Sequence, residues 1–186
     1  MSLQSWQETL ITSQVDGSTL SAAAAASMLP PAALYTLPPN FFAIGKAVRI
    51  FAHGRISSVI TTPGTARFDV RLGGTVVFDS LAILLDTVAA HTTKPWTLDI
   101  TLTCRAIGNS TNANLMGTGT WTCEDILGTP ASSPKGSIVA NVPWNTTPAV
   151  GSGFDSTVSQ QVDIFFTQTV ATGSMICHQY ILQSLN

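Results

Sequence analysis

Every second residue from Trp96 to Ala106 is apolar. A period of two belongs to a β-strand with one dry face and one wet face. Trp96, Leu98, Ile100, Leu102, Cys104 and Ala106 point one way, and Thr97, Asp99, Thr101, Thr103 and Arg105 point the other. The same alternation sets Val48, Ile50, Ala52 and Ile56 against Arg49, Phe51, His53 and Arg55. Leu115, Trp121 and Cys123 share one phase of a further strand. Gly117 and Gly119 lie on that phase too, where a missing side chain marks a bulge or the close approach of another backbone. "STVSQQVDIFFTQTV" and "SMICHQYILQSL" close the chain as two more strands, joined by Ala171-Thr172-Gly173.

Eight or nine such segments, separated by turn signals, predict an all-β sandwich or barrel. Enrichment in Thr, Val, Ile and Phe agrees. A length of 186 residues suits one domain, and no repeat of fixed period is visible. The specific expectation is a jelly-roll-like β-sandwich over residues 41–186, preceded by an extended N-terminal arm over residues 1–40.

One hairpin poses a problem. In "ARFDVRLGGTVVFDS" (66–80), Ala66, Phe68, Val70 and Leu72 alternate with Arg67, Asp69 and Arg71. Gly73-Gly74 supplies the two residues of positive φ that a tight turn needs. Regular pairing sets Leu72 against Thr75, Val70 against Val77 and Phe68 against Asp79. Val76 and Phe78 then fall on the wet face beside Arg71 and Asp69. Phe41-Phe42 and Phe165-Phe166 likewise put bulk on both faces of the chain. A sandwich strand normally keeps one face polar, so the second face must be covered, by the arm or by another subunit.

The arm reads differently from the rest. "SWQETLITSQ" predicts a helical turn with Trp6 and Leu10 on one side. Ala22 to Ala26 favours helix, but five alanines alone do not hold one in water. Pro30-Pro31 and Pro38-Pro39 force extended chain around them. Trp6, Leu10, Leu29 and Leu34 are costly to leave in water, so the arm is expected to lie on the domain or on a neighbour.

Charged residues make up only 10% of the chain, against roughly 25% in a typical soluble domain. A free monomer needs a charged surface, so this composition points to contact with other chains. Net charge is −2 and no basic run occurs, which argues against nucleic acid as a partner. The N-terminus lacks the pattern of a signal peptide, and no stretch of eighteen apolar residues occurs, so no membrane partner is expected. Asn109-Ser-Thr and Asn145-Thr-Thr match the glycosylation pattern but carry little weight without a secretion signal.

No reaction motif appears, and the chain reads as a non-enzyme without cofactor or metal. His53, His91 and His178 are scattered, with no ligand spacing to a cysteine or carboxylate. Asp69, Asp79, Asp99, Asp125, Asp155 and Asp163 invite comparison with a glycosidase pair, but most sit on wet phases or strand ends, where bridging roles are the default. Cys104, Cys123 and Cys177 form no C-x-x-C pair; Cys104 and Cys123 share the inward phase of successive strands, which leaves a bond between them open. Trp144, in "PWNTTP", is the one aromatic set in a polar loop and the candidate ligand residue.

"YTLPPNFFAIGKAVRIFAHGRISS", "TARFDVRLGGTVVFDS", "LTCRAIGNSTNANLMGTGTW" and "GFDSTVSQQVDIFFTQTVATGSM" together resemble a family of small virion structural proteins of tailed bacteriophages, notably those of actinobacteria. The resemblance covers nearly the whole chain and rests on glycines, aromatics and strand lengths. It implies a capsid decoration or minor capsid protein on the capsid exterior, a homo-oligomer and most simply a trimer, bound to the major capsid protein. Trp6, Leu10, Leu29, Leu34, Phe41, Phe42, Val76 and Phe78 are then the expected interface. Deleting Met1 to Leu37 is expected to abolish capsid binding. The alternative is a receptor- or glycan-binding module of a tail fibre or spike, with Trp144 at its ligand loop.

Overall fold

A computed structural model describes residues 7–127 and 137–185; the side chains of 124–127 and 137–138 are not among those described. Two six-stranded sheets stack face to face. The first, sheet A, has the order β1 (Glu8–Thr12), β12 (Ser174–Ser184), β4 (Ala47–Ser58), β8 (His91–Ala106), β9 (Asn114–Leu127) and β10 (Ser137–Val142). The second, sheet B, runs β2 (Ala25–Ser27), β11 (Gln160–Gln168), β5 (Thr65–Leu72) and β6 (Thr75–Asp79). Short strands β3 (Tyr35–Leu37) and β7 (Ile83–Leu84) extend the same sheet on β11 and β5. Every pairing is antiparallel. The all-β sandwich expected from the alternation is the fold observed. Its jelly-roll character lies in the nested pairing of β4 with β12 and β5 with β11. Among the described residues, no helix is long and apolar enough to cross a membrane.

The alternating apolar phases meet between the sheets. Val48, Ile50, Ala52 and Ile56 face inward from β4, and Trp96, Leu98, Ile100, Leu102 and Cys104 from β8, all buried. At the centre, the Phe68 ring of sheet B lies 5.9 Å from Trp96 and 5.1 Å from Trp121 of sheet A, and 5.4 Å from its neighbour Phe166. Edge and tilted contacts of this kind suit the ring quadrupoles and add to the burial of apolar area.

The N-terminal stretch is extended, as its prolines dictate, but it lies along the sandwich's own edges rather than over an outer face. Residues 8–12 form β1 instead of a helical turn, because Thr9, Ile11 and Thr12 favour strand and the edge of β12 offers ladder partners. The chain climbs beside β12, with Gly17 N–H donating to Cys177 O and Leu20 N–H to Met175 O. It then crosses to sheet B and descends beside β11 as β2 and β3. Met28, Leu29, Ala33 and Leu37 of this strap are core residues. Residues 7–40 therefore share one hydrophobic core with the rest of the chain.

The opposite side is closed by the loop 143–154. Its backbone bonds both sheets: Trp144 N–H donates to Ser80 O and Ser152 N–H to Val76 O in or beside β6, while Gly151 N–H donates to Leu115 O and Phe154 N–H to Ala113 O in or beside β9.

The 66–80 hairpin departs from regular pairing. Gly73 and Gly74, at φ 55° and 93°, make the expected turn, and Leu72 pairs with Thr75. The register then shifts: Arg71 pairs with Val76, but Val70 pairs with Phe78 and Asp69 with Asp79. Val77 is the extra residue of a β-bulge, and the residues beyond it change face. Phe78 turns into the core, and only Val76 stays on the outer side, half-buried. Gly117 makes the room: a Cβ there would stand 2.2 Å from Phe78 Cδ2. The expectation that Phe78 lies on an outer face is thus corrected by the bulge, together with the glycine opposite it.

Cys104 and Cys123 sit on neighbouring strands but at opposite ends of them, paired with Leu115 and Trp96 respectively. All three cysteines are buried thiols outside any disulfide among the described residues.

This packing makes the bulge testable by urea unfolding. Phe78→Ala is expected to cost about 3–5 kcal/mol as a core truncation, and Val76→Ala no more than about 1 kcal/mol. Gly117→Ala should cost about 1–3 kcal/mol by overpacking. That cost should largely vanish in the Phe78→Ala background, because the two changes act on the same space. Equal costs for Phe78 and Val76 would refute the register.

Candidate functional site

The two outer faces of the sandwich differ in chemistry. On sheet B the charges are spent on each other. Arg67 clasps Asp79, Arg71 Nε lies 2.5 Å from Asp69, and the Arg71 guanidinium stacks 3.6 Å from the Phe165 ring centre. Ser27 Oγ donates to Asp163 Oδ1 at 2.6 Å, tying the strap to β11. Burial pushes the Asp163 carboxyl up despite that bond. Phe165, half-buried on this outer face, has the Arg71 guanidinium laid over its ring.

Sheet A presents a broad outer face. Register aligns its outward residues in rows across β4, β8 and β9. Arg49, Thr101 and Thr118 form one row, and Phe51, Asp99 and Thr120 the next. His53, Thr97 and Thr122 continue the pattern. Arg49 grips Asp99 through two parallel hydrogen bonds, Nε to Oδ1 at 2.8 Å and Nη2 to Oδ2 at 2.5 Å. The two side chains stay 39% and 30% exposed. The rows border a shallow hollow of about 430 Å³, lined by Arg49, Asp99, Thr101, Thr118, Gly119 and Thr120, with Leu185 at one side. Phe51 is tucked beneath its neighbours, with the Arg49 guanidinium 5.5 Å from its ring and His53 edge-on at 4.4 Å.

The residues singled out from the sequence do not gather in one place. Trp6 lies outside the described residues. Leu29, Phe42 and Phe78 are core residues, so none of them offers an outer interface. Phe42 packs edge-on against Phe154, with centroids 5.5 Å apart. Leu10, Leu34 and Phe41 are partly buried against the core, and Lys46 Nζ sits 4.2 Å over the Phe41 ring. Trp144 also packs against the core. The cavity of about 200 Å³ beside its loop is lined by Val77, Phe78, Leu81, Pro143 and Val150 among others, but not by Trp144.

Two histidines do meet carboxylates, by routes the sequence hides. His178 Nδ1 lies 3.1 Å from Asp16 in the strap. His91 Nε2 lies 2.7 Å from Asp86 Oδ2, both side chains buried, and the same carboxylate accepts the Val88 and Ala89 amides. Ser58 is the register partner of His91, yet its buried hydroxyl has no hydrogen-bond partner among the described residues. A nucleophile must reach its base, so Ser58 is not an activated one here. Asp69, Asp79, Asp99, Asp155 and Asp163 each hold a structural partner, and the Asp125 side chain lies outside those described. Among the described residues, no three His, Cys, Asp or Glu side chains converge as a metal site requires.

Arg49, Asp99, Thr118 and Thr120 were missed as a group. Their signal was present: all lie on the wet phase of the most regular strands, and only the cross-strand register brings them together.

No family model and no curated protein matches the chain. Among solved structures, the CBM2 module of the evolved Dit of Lactobacillus casei BL23 phage J-1 is similar over 99% of both chains, at 8% identity and a TM-score of 0.39. That likeness is too remote to inform the site.

The buried Asp86–His91 pair carries a pH dependence. Burial opposes the Asp86 charge, but hydrogen bonds from His91 and from the Val88 and Ala89 amides outweigh it and hold the carboxyl below its usual 3.8. The unfolded chain binds that proton more readily than the native one. The stabilisation is therefore complete above the usual value and is lost as pH falls through the lowered native one. Asp86→Asn is expected to cost about 1–3 kcal/mol at pH 7. In thermal melts the gap between wild type and variant should narrow below about pH 3.8; a gap independent of pH would remove the carboxylate from the account.

Proposed function

We propose that the chain is a structural component of a tailed-phage virion that serves as a recognition module, presenting the outer face of sheet A to a ligand outside the particle. The observation that carries this reading is the state of the N-terminal strap. A decoration protein moored by an arm needs an arm that can leave the body. Residues 8–37 instead complete both sheets and fill part of the core. Removing Met1 to Leu37 would therefore expose the core, and that deletion reports folding rather than docking. The outer face of sheet A is broad and rich in hydroxyls, and the Arg49–Asp99 pair at its centre is neutral. The resemblance of four long stretches to small virion proteins supplies the setting.

A second reading keeps one observation in its favour. Exposed Ile44 and Ile107 lie at one end of the sandwich, close to the half-buried Phe41, in a chain with only 10% charged residues. That end would suit a seat on the shell or contact between copies in a trimer.

Two measurements separate the readings. The recognition module predicts a few copies per particle relative to the major capsid protein, by quantitative mass spectrometry of purified virions. It also predicts saturable binding of the purified, fluorescently labelled chain to host cells. A ratio near one to one without cell binding would return the protein to the shell.

A further inference from the structure

We propose that the hollow bordered by Arg49, Asp99, Thr101, Thr118 and Thr120 is a saccharide subsite that takes a neutral, hydroxyl-rich ring. The inference rests on the recognition-module reading and names the ligand class of that face. Its dimensions come from the sheet itself. Neighbouring strands lie about 4.8 Å apart, and outward residues two apart along a strand about 6.7 Å. Two rows across three strands therefore frame a patch the size of one sugar ring with its hydroxyls. The hollow is shallow and open, so a ring can lie in it with its linkage directed outward. Gly119 lies between Thr118 and Thr120 and adds no side chain to either face.

The chemistry of the lining selects the ligand. Arg49 and Asp99 are locked together, so the hollow carries no net charge and draws neither phosphate nor ammonium groups. What faces outward is a planar guanidinium edge, a planar carboxylate and threonine hydroxyls, with Thr118 and Thr120 exposed. A carboxylate beside a guanidinium offers acceptors next to donors, which matches adjacent ring hydroxyls that donate and accept in turn. The ion pair also fixes both side chains before the ligand arrives, which lowers the entropy lost on binding. A protein partner fits less well. Protein interfaces centre on large aromatic anchors, and the one aromatic beside the hollow, Phe51, lies half-buried under Arg49.

The test uses the full chain on an array of short neutral oligosaccharides, built from glucose, galactose, rhamnose and N-acetylglucosamine. Glycerol-phosphate and sulfated polymers serve as charged controls, and each hit is titrated in solution. Host-cell binding is measured in parallel. Wild type is expected to bind at least one neutral class and neither charged control. Thr118→Val with Thr120→Val, and separately Asp99→Asn, should each weaken binding about tenfold or more. Thr122→Val, one outward position further along β9, should stay within about twofold. Valine suits strands as well as threonine, so melting temperature should hold in the threonine variants. Cell binding without any neutral saccharide hit, preference for a charged polymer, or a hit that survives the double variant would each overturn the subsite. Loss of cell binding and saccharide binding together in wild type would instead overturn the recognition module itself.

Discussion

Two stacked sheets keep their inner faces dry only if the open sides between them are closed as well, and most of what is distinctive in this chain serves that closure. The first side is sealed by residues 8–37, which climb beside β12 and return beside β11, adding an edge to each sheet. The second is sealed by residues 143–154, whose backbone bonds β6 on one sheet and the start of β9 on the other. Edge strands left bare offer unpaired N–H and C=O groups to other chains.

The bulge at Val77 belongs to the same economy of surfaces. It returns Phe78 to the core against Gly117, and it leaves Asp79 opposite Asp69 on the outer side. Two carboxylates facing one another repel, and the arginines at 67 and 71 answer each of them. The outer face of sheet B thus becomes a closed network of paired charges with an arginine laid over Phe165. On sheet A, Arg49 pairs with Asp99 amid threonines. The two faces come from similar alternating strands but differ in what they leave for a ligand.

Much of this was legible beforehand. The inward residues of β4, β8 and β9, the tight turn at Gly73-Gly74 and the loop beginning at Gly108 all follow from local pattern. Gly117 reads as a bulge or the close approach of another backbone, whereas what approaches it is the Phe78 ring. The strap reads as extended chain lying on the domain or on a neighbour, but nothing local in its alanines and prolines tells which edges it will meet. The Asp86–His91 pair was overlooked because both residues sit where alternation gives no phase. Cys104 and Cys123 shared a phase, but phase alone gives a face and not a height along the strand.

By itself the sequence determined the strands of regular alternation, their dry and wet sides and the low charge of the chain. These are properties of neighbouring residues: a pleated backbone turns successive side chains to opposite faces wherever it runs. Register, the bulge, the destination of the strap and the grouping of Arg49, Asp99, Thr118 and Thr120 were decided only by the tertiary structure. They depend on which strands become neighbours, and that choice rests on the summed burial and hydrogen bonding of segments far apart in the chain.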